Sequence, residues 1–248
     1  MDILLIGAGA MGGALLKGWG SSHSVLVAEA SADRRRTLEN ARFAADNSEA
    51  KGRIVVLAVK PQSLGSVKIP VRAKAIVSIM AGVTLETLRE NFEADYFIRA
   101  MPNLAALHQR SATALTGDAG FKSEALELFN AVGKAVWFES EKELAIATAL
   151  SGSGPGYLAL IAEALANGAV RLGMKSDDAY ALTQALFEGM PSLLAGEHPA
   201  ALKDRVCSPN GTTIEGIAAL ERSGVRGAII DAVKAAFDQS ERLAKKRD

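Results

Sequence analysis

A glycine-rich stretch near the start of the chain has the residue types and the spacing that could hold a phosphate. It reads Gly7-Ala8-Gly9-Ala10-Met11-Gly12, the pattern G-x-G-x-x-G. An apolar run, Asp2–Ile6, precedes it, and a run with helical spacing, Met11–Trp19, opens within it. In that setting the first glycine allows a tight turn, the second lets the backbone approach a pyrophosphate, and the third lets the helix pack closely on the strand. Because N–H groups at a helix start attract anions, the stretch predicts a dinucleotide-binding loop.

The residues after the second apolar run bear on which dinucleotide this loop would hold. Glu29 follows the run Val25–Ala28, at about the 20-residue spacing of a carboxylate that binds the adenine ribose of NAD(H). Ser31 and the cluster Arg34-Arg35-Arg36 come next and could instead hold the 2′-phosphate of NADP(H). The same arginines could equally be a solvated first helical turn. Glu29 and Ser31 are both cofactor-binding candidates, and the choice between NAD(H) and NADP(H) stays open.

Three later apolar runs end in small, polar or charged residues. Their ends read Ala58-Val59-Lys60-Pro61, Met80-Ala81-Gly82 and Arg99-Ala100-Met101-Pro102-Asn103. In open α/β sheets, ligands bind beyond the carboxyl ends of the strands. Lys60 is therefore expected near the cofactor, with Pro61 fixing the turn after it. The small residues around Ala81 would let a nicotinamide ring lie against the backbone, so the first two of these ends are predicted to bind cofactor.

A second anion site is predicted in the other half of the chain. The segment Asn210–Thr213 leads into a run with helical spacing, so its backbone N–H groups can bind a carboxylate without an arginine. The hydroxyls of Ser208 and Thr213 can add hydrogen bonds. Cys207 lies in the same segment without a histidine nearby in the sequence, and we interpret it as a packing residue.

These residues need a scaffold, and the first 140 residues alternate strand-like and helix-like patterns. The candidate strands are Asp2–Ile6, Val25–Ala28, Ile54–Ala58, Ala75–Ile79, Tyr96–Arg99, Ala112–Thr116 and Ala135–Phe138. The candidate helices between them are Met11–Trp19, Ala32–Ala41, Leu85–Phe92 and Ser123–Val132. The first four strands are nearly continuous apolar runs, as in parallel strands buried on both faces. This alternation predicts a doubly wound α/β domain of the Rossmann type.

After residue 140 the pattern becomes helical throughout. The candidate helices are Pro155–Leu172, Ser176–Leu194, Pro199–Val206, Thr213–Ser223 and Val225–Lys246, with Ser176 as an N-cap. We therefore predict a dinucleotide-binding domain over residues 1–140 and an all-α domain over 141–248. The two long helices carry more apolar surface than a lone five-helix domain needs, which suggests a subunit interface.

Composition excludes several classes of protein. Lys and Arg number 28 and so do Asp and Glu, which gives a net charge of zero and removes the attraction that nucleic-acid binders use. The single cysteine rules out an intramolecular disulfide and fits a reducing cytoplasm. The three histidines form no ligand-like pair, so no metal site is expected. Leu144–Ala162 carries no charge, but its centre, Ser151–Gly156, contains three glycines and Pro155. We expect a helix end, a glycine turn and a second helix start there, with Pro155 in the first turn, rather than a membrane span.

Two segments of the second half are distinctive enough to point to a family. They read Ala149-Leu150-Ser151-Gly152-Ser153-Gly154-Pro155-Gly156-Tyr157 and Leu202-Lys203-Asp204-Arg205-Val206-Cys207-Ser208-Pro209-Asn210-Gly211-Thr212-Thr213-Ile214. Together with Val59-Lys60-Pro61 and the glycine loop, they strongly resemble the pyrroline-5-carboxylate reductases, in order and over nearly the whole chain. One departure is Asn210, which stands where that family has glycine; asparagine tolerates the left-handed backbone that glycine would adopt.

The resemblance implies reduction of 1-pyrroline-5-carboxylate to L-proline with hydride from NADPH or NADH. It implies a homodimer through the C-terminal helices and further assembly into a decamer. It also implies substrate contacts from Glu141, Glu197, Ser208, Gly211, Thr212 and Thr213. Thr213 would be the catalytic group that bonds the imine nitrogen, and Asn47 would contact the adenine ribose.

Two alternatives remain from the sequence alone. The first is a reductase of the same two-domain plan acting on a 3-hydroxy acid or a ketopantoate-like substrate. Such enzymes use a lysine and asparagine pair, and Lys175 and Asn167 stand outside any matching motif. The second is a cofactor-binding protein without turnover, against which the intact segment from Ser208 to Thr213 argues.

Overall fold

The computed structural model describes residues 1–20 and 22–245 of the chain. The strands are β1 Asp2–Ile6, β2 Ser24–Ala28, β3 Arg42–Phe43, β4 Ile54–Leu57, β5 Ala73–Ser78, β6 Ala94–Met101, β7 Ser111–Gly117 and β8 Gly133–Trp137. The helices are α1 Ala10–Trp19, α2 Ala32–Thr37, α3 Leu85–Asn91, α4 Lys122–Asn130, α5 Glu141–Ala147, α6 Gly154–Arg171, α7 Ser176–Gly196, α8 Pro199–Arg205, α9 Thr212–Arg222 and α10 Val225–Lys245. Contacts separate a first unit, Met1–Pro155 with Ala235 onward, from a second unit, Gly156–Lys234.

The first unit is built on one eight-stranded sheet of order β3-β2-β1-β4-β5-β6-β7-β8. All neighbouring strands are parallel except β6 and β7. The chain runs outward from β1 to β3 on one side and from β4 onward on the other, so the order reverses between β1 and β4. The predicted Rossmann-type fold is confirmed, and the sequence missed only β3, a two-residue edge strand that has too few side chains for a pattern.

Both faces of this sheet are buried because alternate residues of each strand enter two different cores. In β1, Ile3 and Leu5 belong to one apolar cluster while Leu4 and Ile6 belong to the other. The first cluster includes residues of α1 and α4, and the second includes residues of α3. This two-sided burial is why the central strands read as unbroken apolar runs in the sequence.

The expected glycine turn is wrong, because the chain stays helical from Glu141 to Arg171. The expected position of Pro155 in the first turn of a helix is confirmed, since α6 begins at Gly154. A π-helical turn, Thr148–Gly152, joins α5 to α6, and the Ser153 N–H donates to the Thr148 carbonyl. Pro155 has no N–H for the Ser151 carbonyl, and the side-chain amide of Asn103 donates to that carbonyl instead, at 2.9 Å. The widened turn and this substitute donor let the helix pass a proline without breaking.

The continuous helix is long enough and apolar enough to cross a membrane. Its most apolar window has a mean hydropathy of 1.4, and 11% of that window is buried. A helix that packs on another protein surface has the same length and composition.

The second unit consists of helices joined by short non-helical segments, in agreement with the all-α pattern predicted after residue 140, and it leaves much apolar surface uncovered. Side chains that are more than half exposed include Leu158, Leu160, Leu172, Leu182, Leu186 and Ile230. The expected N-cap at Ser176 is one residue out, since α7 begins at Ser176 with Lys175 in the cap position. The predicted end of the last helix, Lys246, lies outside the described residues.

We predict that Asn103 holds the π-helical turn in place. Asn103→Asp keeps the oxygen that accepts from the Ala105 N–H. It replaces the amide group that donates to the Ser151 carbonyl by a second carboxylate oxygen, which cannot donate. The stability should fall by about 1–3 kcal/mol, because a partly buried carbonyl loses its partner and faces a negative charge. Urea unfolding at one fixed protein concentration measures this.

The matched control is Asn91→Asp, which removes a 2.8 Å amide bond to the Thr87 carbonyl on an exposed helix surface. Water can replace that donor, so the loss should stay below about 1 kcal/mol. Equal losses in the two variants would contradict a special role for Asn103.

Candidate functional site

The glycine loop follows β1 at the point where the strand order reverses, and each glycine meets a different steric demand. Gly7 has a φ of 91°, and a Cβ there would lie 2.9 Å from the Ala58 carbonyl oxygen. A Cβ on Gly12 would lie 2.2 Å from the Gly7 carbonyl oxygen. By contrast, no described atom lies within 4 Å of where a Cβ on Gly9 would be. Gly7 and Gly12 are thus required by the fold, whereas Gly9 keeps open a space that a ligand can enter.

The start of α1 offers unsatisfied N–H groups beside that space. Gly9 is the N-cap, no side chain in the described ranges caps the helix, and its first turn contains no acidic residue. The N–H groups of the first turn have no intrahelical acceptor. Ala10, Met11 and Gly12 therefore present backbone donors and the positive end of the helix dipole, which is the chemistry that a pyrophosphate needs.

An open cleft of about 720 Å³ extends from this loop across the carboxyl ends of β1, β2 and β4. Eight of the predicted cofactor residues line it: Gly7, Gly9, Glu29, Ser31, Asn47, Ala58, Val59 and Lys60. The cleft is also lined by Arg34 and Arg35, which the sequence suggested as possible ligands of a 2′-phosphate, and by Asp46, Ser63 and Ser66, which were not predicted. The two serines lie in a 3₁₀ helix, Pro61–Ser66, whose sequence resembles an ordinary loop, so no sequence signal marked them.

Lys60 and Pro61 end β4 as the sequence suggested. Lys60 is the N-cap of the 3₁₀ helix, and Pro61 is its first residue, where a missing N–H costs nothing. The Ser63 N–H donates to the Lys60 carbonyl at 2.8 Å. The Lys60 side chain is exposed on the cleft, so it can meet a negatively charged group there.

The three residues predicted after β5 do not line the cleft. Met80 is 2% exposed and belongs to the core, and its N–H donates to the Ser78 hydroxyl. Gly82 has a φ of 70°, so it turns the chain away from the strand toward α3. Ala81 is exposed at the tip of this turn. Any contact of this segment with cofactor stays a prediction.

Glu141 is held at the end of the sheet by two groups of the first unit. Its Oε1 accepts from the Arg99 guanidinium at 2.7 Å and from the Leu85 N–H, at the start of α3, at 3.0 Å. The Arg99 side chain is 11% exposed and that of Glu141 is 35% exposed, so water reaches this ion pair mainly from the carboxylate side. Glu141 therefore fastens the first residue of α5 to β6 and α3. Its Oε2 accepts no hydrogen bond from the described residues.

In the second unit, the segment predicted to bind an anion forms a tight turn followed by a helix. The Gly211 N–H donates to the Ser208 carbonyl at 3.0 Å, and Asn210 has a φ of 56°. Proline followed by a residue of positive φ is the pattern of a type II turn. The expectation that Asn210 adopts the left-handed backbone is confirmed.

Gly211 is the N-cap of α9, and no side chain within the described part of the chain caps this helix. A Cβ on Gly211 would lie 2.3 Å from the Ser208 hydroxyl oxygen, so glycine lets this hydroxyl sit against the helix start. Thr212 and Thr213 are exposed at this helix start. The helix begins at Thr212, one residue earlier than predicted. Ser208, Thr212 and Thr213 thus supply hydroxyl and N–H donors in one small cluster around Gly211, whose own N–H is bonded to the Ser208 carbonyl.

Glu197 lies between α7 and α8 and pairs with Arg205 at the other end of α8. The Arg205 Nε donates to Glu197 Oε1 at 2.9 Å. This hydrogen bond, followed by the attraction of the Glu197 charge, raises the pKa of Arg205. As in Glu141, the Oε2 of Glu197 has no hydrogen bond to a described residue. No group of three or more potential metal-ligating side chains occurs over residues 1–20 and 22–245.

We predict that Gly9→Val weakens dinucleotide binding by about tenfold or more, because the new side chain would occupy the open space at the start of α1. Titration of NADH and NADPH followed by nicotinamide fluorescence measures the dissociation constants. The control is Gly13→Val, whose Cβ would lie an ordinary 3.8 Å from the Ala8 carbonyl oxygen. Gly13→Val should change the constants less than about threefold. Equal effects would show that Gly9 has no special place.

Comparison with known proteins agrees with both halves of this description. Residues 2–82 match the family described as NADP oxidoreductase coenzyme F420-dependent, and residues 141–243 match the family described as pyrroline-5-carboxylate reductase dimerisation. The pyrroline-5-carboxylate reductase of Synechocystis is 37% identical, with 98% of each chain covered. That of Methanosarcina acetivorans is 38% identical, with 97% of each covered.

Solved structures extend the likeness to the fold of the whole chain. A pyrroline-5-carboxylate reductase from Coxiella burnetii superposes with a TM-score of 0.87 at 30% identity, covering 98% of both chains. A Plasmodium falciparum pyrroline carboxylate reductase, solved with NADP bound, superposes at 0.81 and 24% identity, which speaks for the fold alone. With relatives this similar over nearly its full length, the chain belongs to the pyrroline-5-carboxylate reductase family.

Proposed function

We propose that the protein reduces 1-pyrroline-5-carboxylate to L-proline with a hydride from NADH or NADPH. The observation that carries this function is the full-length match to pyrroline-5-carboxylate reductases. The glycine loop and the cleft beside it fit a dinucleotide, and the start of α9 fits a small carboxylate. The alternative of a 3-hydroxy acid reductase has no such support, since the relatives are reductases of a cyclic imine.

The reaction makes limited chemical demands on the protein. The C=N bond of the substrate accepts a hydride at carbon and a proton at nitrogen, and the product is a secondary amine. When bound, the reduced nicotinamide supplies the hydride. The chain must then bind the carboxylate, turn the imine carbon toward the hydride donor and hold the nitrogen for protonation. Holding two reactants in the correct orientation supplies much of the rate enhancement.

The cluster at the start of α9 can meet the binding demand. The free N–H groups of its first turn and the helix dipole suit a carboxylate, and the Ser208 hydroxyl adds a donor. Thr213 is the proposed catalytic residue, with its hydroxyl bonding the ring nitrogen. A threonine hydroxyl is a weak acid, so its role is to orient the imine and to pass on a proton from water.

Glu141 and Glu197 stay proposed substrate contacts through their second carboxylate oxygens. In each, Oε1 is committed to an arginine, which fixes the side chain, while Oε2 remains available. A fixed acceptor of this kind suits the N–H that appears on the product ring. Both assignments rest on the resemblance together with this free oxygen.

We further propose residues 1–140 as the dinucleotide-binding domain and 141–248 as the dimerisation and substrate domain. The match to the dimerisation family over 141–243 supports this division. It also supports a homodimer in which the second copy covers the apolar faces of α6, α7 and α10. In a cytoplasmic enzyme, as we propose, burial of this surface by the second copy would account for the apolar helix 141–171. A decamer of five such dimers is the proposed complete assembly.

The function is tested by following the nicotinamide absorbance with 1-pyrroline-5-carboxylate and each reduced cofactor in parallel. We expect oxidation that depends on the substrate, and proline as the product. The proposal would be overturned if folded protein binds a cofactor but oxidises neither NADH nor NADPH in the presence of this substrate.

Thr213→Ala should lower the turnover number by about 10²-fold to 10⁴-fold, the range for a lost proton-transfer group. The dissociation constant of the cofactor should not change. Thr213→Ser keeps the hydroxyl and should keep most of the activity. Unchanged turnover in Thr213→Ala would remove this residue from the catalytic role.

Leu160→Glu should dissociate the homodimer, because it places a charge in the proposed interface. Leu160 is 67% exposed in a single chain, so the substitution costs the isolated chain little. Sedimentation equilibrium measures the mass. Thr37→Glu, at an exposed position of α2, adds the same charge outside the interface and should leave the assembly intact. An unchanged mass for Leu160→Glu would place the interface elsewhere.

A further inference from the structure

The carboxylate of Glu29 is fixed at the carboxyl end of β2. Its Oε2 accepts from the Ala8 N–H at 2.8 Å, and its Oε1 accepts from the Ser31 N–H at 2.8 Å. These donors come from the glycine loop and from the N-cap of α2, so both sides of the carboxylate are held by backbone. Glu29 also lines the cleft beside the glycine loop. The side chain is therefore pre-positioned as part of the site.

A carboxylate in this place can bind one kind of dinucleotide and repel another. Each carboxylate oxygen has two acceptor positions, so one remains on each oxygen after the backbone bonds are counted. Two ribose hydroxyls could donate to these positions. A 2′-phosphate has no proton to donate in its dianionic form, and it would bring like charge against the carboxylate.

The neighbouring arginines do not offset this repulsion equally. Arg35 donates through Nε to the Glu29 carbonyl oxygen, and its guanidinium carbon lies 5.3 Å from the centre of the Phe43 ring. Arg35 thus uses one of its five N–H donors to shape the β2–α2 corner, which restricts where its guanidinium can reach. Arg34 lies at the exposed start of α2, and its guanidinium makes no hydrogen bond to the described residues. A solvated arginine of this kind is weakened by salt and water.

We propose that Glu29 makes this protein prefer NAD(H) over NADP(H), by accepting from the adenine ribose hydroxyls and repelling a 2′-phosphate. This specificity rests on the proposed function, since it assumes that the cleft holds a nicotinamide dinucleotide. It adds to that function the identity of the cofactor and the residue that selects it. A fixed carboxylate rejects the phosphate even though Arg34 and Arg35 stand nearby, which is selection by an unfavourable contact.

The test is the ratio of the dissociation constants of NADPH and NADH, measured by nicotinamide fluorescence with no substrate present. We expect NADH to bind about tenfold tighter or more in the natural protein. Glu29→Gln removes the charge and keeps one of the two acceptor oxygens, so one backbone hydrogen bond is lost whichever cofactor binds, and the ratio of the two constants isolates the effect of the charge. It should reduce the ratio to near one, mainly by improving the binding of NADPH.

Asp46→Asn is the matched control. Asp46 also lines the cleft and also has an exposed carboxylate that accepts from a backbone N–H, that of Ser48. Asp46→Asn should leave the ratio of the two dissociation constants within about threefold of its value in the natural protein. Arg34→Ala serves as a second variant without any change at Glu29. It should lower the already weak affinity for NADPH and leave that for NADH unchanged.

Several results would overturn the inference. Tighter binding of NADPH in the natural protein would do so, as would an unchanged ratio in Glu29→Gln. Both results leave the reductase function standing, because a dinucleotide still binds. Binding of neither dinucleotide would instead overturn this inference and the proposed function together.

Discussion

The close contact between the Gly12 backbone and the Gly7 carbonyl is the constraint on which the first unit depends. A single methyl group at Gly12 would come within 2.2 Å of that oxygen, so the first turn of α1 can sit on the end of β1 only when this position is glycine. The contact aims the free N–H groups of α1 over the carboxyl edge of the sheet. It also brings Gly7 against Ala58 and Val59, which ties the loop to β4. The proposed anion site therefore lies at the point where the strand order of the sheet reverses, and the same contact positions both.

Much of this unit can be predicted from the sequence because local and global preferences agree. Strands buried on both faces must be apolar throughout, which makes β1, β2, β4 and β5 easy to recognise. The glycine pattern between a strand and a helix has few other meanings. Asn210 was also predictable, since the turn after Pro209 requires a left-handed residue and asparagine tolerates that conformation. In each case the residues that determine the structure are close neighbours in the chain.

What the sequence concealed depends on distant partners. Pro155 and the glycines around it favour a break in the helix. The helix continues because Asn103, far away in the chain, donates a hydrogen bond to the Ser151 carbonyl in place of the missing N–H. Similarly, Glu141 looks like a free carboxylate in the sequence, and only the fold shows Arg99 and the Leu85 N–H bound to it. Ser63 and Ser66 enter the cleft because of where β4 ends. Single-residue patterns contain no information about such pairings.

Both proposed anion sites have the same feature, a helix start that follows a glycine N-cap and has no side-chain cap. An N-cap serine or aspartate would stabilise α1 or α9 by about 1 kcal/mol, but its side chain would take the N–H groups that an anion needs. Each helix thus gives up some of its own stability and leaves its donors free. This arrangement suits a phosphate or a carboxylate, because neutral N–H groups can bind it without a buried arginine whose desolvation would be costly. If both proposed sites bind their ligands, a chain with no net charge can hold two anions because each helix end presents its own positive dipole end.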